Sequence, residues 1–215
     1  MATVTDITPR LSRAEKREET RARLLDAAES VFAEKGIGSS SIEDITDRAG
    51  FSRGAFYSNF DTKDALVGAL LERHIAVDAA DMQELFDNSA DAGDFFARLR
   101  DREQTPGRHA LSLEFILYAV RNPEARPEVA RLLAISRQTT IRLIEQQWEA
   151  SGIENPPIDV LQAAKVIEAL DDGLDLQRLI DPEGFPLGMF NDVLVLLQEA
   201  VVALTEKQAG SSGSR

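Results

Sequence analysis

Cysteine is absent from the 215 residues. That removes disulfide frameworks, thiol catalysis and Cys-based zinc sites together, and it accords with a reducing compartment. Long apolar runs are also absent: none reaches the roughly 18 residues of a membrane span. The opening Met-Ala-Thr-Val-Thr-Asp has no basic segment followed by an apolar one. The expectation is a cytoplasmic protein with no membrane partner. Histidine is scarce, and neither His74 nor His109 has a Glu three residues before it, so the Glu-x-x-His element of di-metal helical bundles is missing. No Gly-rich phosphate loop, Gly-x-Ser-x-Gly elbow or His-Glu-x-x-His helix is present. No catalytic residue, metal ligand or cofactor is assigned, and the chain is read as a non-enzyme. The enzyme reading has one foothold: Glu168, Asp171, Asp172 and Asp175 share a helix face at i, i+3, i+4 and i+7, as the carboxylates of a metal-binding bundle would. A solvated acidic stripe is the preferred reading of those four.

What the chain has in excess is negative charge, −13 in all. Nucleic-acid binding rests on Lys and Arg neutralising phosphates, so the distribution matters more than the sum. Residues 1–60 hold 9 basic and 10 acidic side chains, whereas residues 61–215 hold 15 and 27. The acidity sits behind the first sixty residues. Arg10, Arg13, Lys16, Arg17, Arg21 and Arg23 form a local basic segment, and residues 1–17 are expected to be a flexible basic arm.

Helical periodicity runs almost throughout, with no period-2 alternation, so the fold class is all-α with about nine helices. The first is expected over 18–35, stopped by Gly36. A second opens at Ser40, with Ser40 and Glu43 as a capping box, and ends at Ala49-Gly50. Ser52 is the N-cap of a short third helix, with Phe51 and Phe56 in the positions of a hydrophobic staple. A fourth runs from 61 or 62 to about 85. Further helices are expected over 92–103, 107–121, 126–151, 158–180 and 187–205, separated by Pro- and Gly-containing breaks. A tail over 207–215, rich in Gly and Ser, is expected to be flexible.

Two helices joined by a Gly turn, with a third packed beneath, make a helix-turn-helix whose second member enters the major groove. Arg53 and Lys63 sit in the first turns of the third and fourth helices, where the helix dipole disfavours cations by about 0.3–1 kcal/mol each. An external phosphate would reverse that sign. Gly54 and Ala55 suit close approach to base edges, and Tyr57 can donate to a phosphate.

These residues carry a resemblance. Arg21-x-x-Leu24-Leu25-x-Ala27-Ala28-x-x-x-Phe32-x-x-x-Gly36, then Ile45, Ala49-Gly50 and Ser52-x-Gly54-x-x-Tyr57-x-x-Phe60-x-x-Lys63-x-x-Leu66 resemble the DNA-binding domain of the TetR family of bacterial regulators. Thr46, Phe51 and Asn59 depart from the usual pattern. The resemblance implies a DNA-binding domain over 18–62 and an effector-binding and dimerisation domain over 63–206. The implied partners are a palindromic operator in double-stranded DNA, a second copy of the chain held through 158–180 and 187–205, and a small-molecule effector. The implied DNA-binding residues are Arg21, Ser40, Ser41, Ser52, Arg53, Gly54, Ala55, Tyr57, Asn59 and Lys63. Candidate ligand-binding residues are Phe86, Phe96, His109, Phe115, Tyr118 and Trp148. The implied function is repression relieved by a ligand. Activation or co-repression on the same fold, a helical interaction protein without DNA binding, and the metal-carboxylate enzyme stand as alternatives.

Overall fold

The computed structural model describes residues 12–103 and 110–212. Among these residues there are nine helices and no strand: α1 (Arg13–Lys35), α2 (Ile42–Ala49), α3 (Arg53–Tyr57), α4 (Lys63–Asp87), α5 (Ala92–Glu103), α6 (Ala110–Arg121), α7 (Arg126–Ala150), α8 (Val160–Ile180) and α9 (Met189–Ser212). The chain forms two compact units, divided between Leu70 and Leu71 inside α4.

Local chemistry sets the helix ends and corrects several expected ones. α1 begins at Arg13 rather than at 18, because the Ser12 hydroxyl accepts from the Glu15 N–H at 3.2 Å and the Glu15 carboxylate accepts from the Ser12 N–H at 2.7 Å. Arg13, Lys16 and Arg17 therefore ride on helical turns instead of a flexible arm. α2 is capped by Ser41 with Asp44, one residue later than the expected Ser40 and Glu43. Ser40 is otherwise engaged: it is buried, and its hydroxyl donates to the Gly36 carbonyl at 2.6 Å. Gly50 takes the left-handed turn (φ 72°, ψ 34°) that ends α2, as expected of glycine there. Asp159 caps α8, its carboxylate accepting from the N–H groups of Leu161 and Gln162, so that helix starts just past the expected 158. α9 continues to Ser212, through the first part of the segment expected to be a flexible tail. The expected start of α6 at 107 lies outside the described residues.

In the first unit α1 packs on α2 and α2 on α3. Its core is made by Leu24, Phe32, Ile37, Ile45, Phe56 and Leu66, all fully buried. In the second unit Phe95, Leu99 and Phe190 form a buried cluster, flanked by Phe86, Phe96, Ile167 and Leu194. There α7 packs against α6 and α8, and α9 against α5 and α8.

The capping of α2 makes the first unit acid-sensitive. Asp44 accepts from the Lys35 ammonium at 2.6 Å and from the Ser41 N–H at 2.9 Å. The ammonium foremost, and Ser41 after it, hold the Asp44 carboxyl well below the ordinary carboxylate range. A depressed folded pKa contributes stability above the unfolded pKa and loses it as pH falls through the folded value. Asp44→Asn is expected to lower the urea midpoint at neutral pH, with the gap to the parent protein closing as the pH is taken down through the carboxylate range. A gap of constant size would refute the linkage.

Candidate nucleic-acid interface and effector cavity

α3 is only five residues long, too short to be stable alone. Its two ends and one buried side chain hold it. The Ser52 hydroxyl accepts from the Ala55 N–H at 3.2 Å. Ser58 returns both its N–H and its hydroxyl to the Gly54 carbonyl. Phe56 is fully buried and stacks at an angle on Phe60, 5.8 Å away. The opposite face, bearing Ser52, Arg53, Gly54 and Tyr57, is exposed, with Ala55 half-buried beside it.

Arg53 and Lys63, each expected to await an external anion at a helix start, both have partners within the chain. Lys63 is half-buried, and its ammonium donates to the Ile37 carbonyl at 2.5 Å and the Ser40 carbonyl at 2.6 Å. Those carbonyls lie just past the C-terminus of α1, the negative end of its dipole, so a cation that is misplaced for α4 is well placed for α1. Burial lowers the Lys63 pKa. Arg53 pairs with Glu43 of α2 at 2.5 Å, and both side chains are more than half exposed. An exposed pair of this kind is worth about 0–1 kcal/mol, so Arg53 remains available to a stronger anion.

Four other expected DNA contacts turn inward or serve as structure. Ser40 closes the corner between α1 and α2. Ser41 caps α2. Arg21 stacks over the Phe60 ring, 4.4 Å from its centroid, and donates to the Asn59 carbonyl. Asn59 sends its amide back to the Ala55 carbonyl at 2.8 Å. Glu43, expected to cap α2, instead pairs with Arg53, and Arg23, expected only as part of a basic segment, lies over the Phe51 ring and donates to the Ala49 carbonyl.

The second unit encloses a cavity of about 620 Å³ between α4, α5, α6, α7, α8 and α9, within the range of about 300–1,000 Å³ usual for small-molecule sites. Of the candidate ligand-binding residues, Phe96, Phe115 and Trp148 line it. Phe86 and Tyr118 do not: Phe86 packs edge-on against Phe95 at 5.7 Å, and Tyr118 is a buried core side chain. His109 lies outside the described residues. The polar lining was not anticipated. His74 stands 3.1 Å from the Ser112 hydroxyl and 3.2 Å from Asp78. Glu168 pairs with Arg137 at 2.6 Å, and buried Asp175 pairs with Arg178 at 2.8 Å. Asp171 and Asp172 also line the wall. The expected solvated stripe on α8 holds for Asp172, which is exposed, whereas Glu168 and the buried Asp175 are met by guanidinium groups. Burial raises the Glu168 pKa against the opposing effect of Arg137. Among the described residues no group of three or more His, Asp or Glu side chains is arranged to hold a metal ion, and no helix is long and apolar enough to cross a membrane.

Two family models match the chain. Residues 24–70 match the bacterial regulatory proteins of the tetR family, and residues 96–201 match the C-terminal domain of BetI-type transcriptional repressors. The chain belongs to the TetR family. Among TetR-type relatives, the regulator TtgR of Pseudomonas putida is 43% identical over 58 residues, which are 27% of this chain and 28% of TtgR. The chain thus spans little more than a quarter of that relative's length. A transcriptional regulator from Pseudomonas aeruginosa PAO1 shares the fold with a TM-score of 0.72 at 20% identity, covering 93% of this chain and 96% of its own. FadR from Bacillus subtilis, solved in complex with stearoyl-CoA, shares it with a TM-score of 0.60 at 20% identity over 86% of this chain and 96% of its own. The TetR match over 24–70 contains Arg53 and Lys63, and the match over 96–201 contains Phe115, Trp148 and Glu168.

Within this TetR-type first unit the two cations have separable roles. Lys63→Met removes the ammonium that donates to the carbonyls of the buried Ile37 and Ser40. It is expected to destabilise the first unit by about 1–3 kcal/mol, read as a lower urea midpoint. An unchanged midpoint would show that the ammonium is not structural.

Proposed function

We propose that the protein is a ligand-responsive, DNA-binding transcriptional regulator that acts by binding and not by catalysis. In this reading it is a repressor that grips a palindromic operator as a homodimer and is released by a small molecule. Residues 18–62 serve DNA binding, and residues 63–206 serve effector binding and dimerisation. The repressor assignment is supported by the BetI-type repressor match over 96–201. The dimer is supported by large apolar side chains left in solvent on the last two helices, among them Val166, Leu179 and Ile180 of α8 and Leu196 and Leu204 of α9. Two-fold symmetry then requires a palindromic site. Cytoplasmic residence follows from the proposed work on DNA.

The observation that carries the reading is Gly54. Its φ is not positive, and a Cβ built there would meet only the Ser52 hydroxyl, at an ordinary 3.6 Å. Among the described residues nothing requires glycine there, and glycine costs about 1 kcal/mol against alanine in a helix interior. Its place on the exposed face between Arg53 and Tyr57 fits an external surface that must come close, such as the floor of a major groove. Arg53 exchanges Glu43 for phosphate or a base edge, and Tyr57 and the helix start supply further donors.

The cavity is the proposed effector site. An effector can release DNA only to the extent that it prefers the DNA-incompetent state. FadR of the same fold holds stearoyl-CoA, which supports ligand responsiveness, while the chemistry of the ligand follows from each protein's own cavity wall.

Selection from random duplexes with purified protein is expected to enrich a palindrome. No enriched palindrome at low salt would sink the regulator reading and favour a helical interaction protein. Gly54→Ala is expected to raise stability to urea by about 0.5–1 kcal/mol while weakening binding to the selected palindrome. Equal or tighter DNA binding by this variant would contradict the close approach.

A further inference from the structure

The buried side chains of α1 begin at Leu24 and end at Phe32, whereas every residue from Arg13 to Glu19 is exposed. A helix end that buries no surface ordinarily frays. This one is built: the Ser12 and Glu15 capping box satisfies free N–H groups at its start. α1 is thus prolonged by about two turns beyond its core, and those turns sort their charges by face. At about 100° per residue, Arg13 and Arg17 continue the line of Leu24, Ala28 and Val31, the buried centre of the helix. Lys16 flanks that line, in step with the half-buried Thr20. Glu18 takes the other flank, while Glu15 and Glu19 fall on the opposite side with the exposed Asp26. The inward stripe of α1 therefore continues past the core as arginine.

We infer that Arg13 and Arg17, with Lys16 beside them, form a rigid clamp on the phosphate backbone that flanks the bases met by α3. This rests on the DNA-binding reading of α3 and extends the proposed surface ahead of residue 18. Arg21, the next arginine on that side, sets the register. It lies over the Phe60 ring and donates to the Asn59 carbonyl, just past the C-terminal end of α3. Arg17 and Arg13 stand one and two turns beyond it, about 6 and 12 Å further along the axis. Lys63 finds carbonyls inside the chain, whereas Arg13 and Arg17 face solvent. Long cations on an exposed helix end supply charge without the packed neighbours that fix a base-reading geometry, so the contact is with phosphate and independent of sequence. Helical order matters because a side chain carried on a fixed turn loses less freedom on binding than one on a loose arm.

The test measures affinity of the purified full-length protein across a salt series, for its selected palindrome and for a scrambled duplex of the same length. Arg13→Gln with Arg17→Gln is expected to lower the slope of log affinity against log salt by about two for each bound protomer. It is expected to weaken palindrome and scrambled duplex by about the same factor, since phosphates carry no sequence. Arg13→Lys with Arg17→Lys is expected to restore the parent slope, because phosphate answers to charge. The urea midpoint of the glutamine variant is expected to match the parent, as neither side chain is buried. An unchanged slope in the glutamine variant, a loss confined to the palindrome, or a lysine pair that fails to restore the slope would overturn the clamp while leaving α3 as the reader. A lowered urea midpoint would also overturn it, by making the pair structural. A parent protein that binds neither duplex at low salt fails the DNA-binding reading itself, and the clamp with it.

Discussion

The first unit depends on one ammonium group. Lys63, at the start of α4, donates to the carbonyls of Ile37 and Ser40, and so fixes the corner between α1 and α2 to the helix that follows α3. Ser40 reinforces that corner by donating to Gly36, and Ser41 immediately begins the cap of α2. With the corner set, α2 is fixed in place, and α3 needs only Ser52, Ser58 and the buried Phe56 ring to hold its five residues helical. The exposed face of α3 is thereby presented on a rigid base, although its own sequence would not sustain a helix.

This arrangement divides the charged residues around α3 into those that build and those that remain available. Arg21 and Arg23 lie over Phe60 and Phe51 and donate to backbone carbonyls. Lys63 does the same without a ring. Arg53 is different, because its partner Glu43 is another exposed side chain and the pair is easily exchanged. In the proposed DNA-binding role, Arg53 would trade Glu43 for phosphate, which would limit indiscriminate attraction to nucleic acid. In the second unit Glu168 and Asp175 face a cavity and pair with Arg137 of α7 and Arg178 of α8.

Much of this was legible in the residues. The all-α class, the breaks between helices, Gly50 as a left-handed stop and Ser52 as a cap follow from local chemistry that acts over three or four residues. The cap of α2 was misread because Ser40-Ser41 is followed by Glu43-Asp44, so the pattern fits in two registers. The choice is made by the Gly36 carbonyl, a backbone group that no side-chain pattern announces. The same holds for Lys63, whose partners are carbonyls 23 and 26 positions away. The cavity was half legible: Phe96, Phe115 and Trp148 line it, but Phe86 and Tyr118 show that aromatic type does not separate a core ring from a lining one. The pairing of Glu168 was not legible because Arg137 lies on a different helix, 31 residues away.

The central claim is that Arg53 meets the nucleic acid and Lys63 builds the surface that presents it. The salt dependence of operator binding tests this most directly. For Arg53→Gln the slope of log affinity against log salt is predicted to fall by about one relative to the parent. For Lys63→Met, measured where the variant is folded, the slope is predicted to stay unchanged. A slope that drops for Lys63→Met and holds for Arg53→Gln would contradict the account.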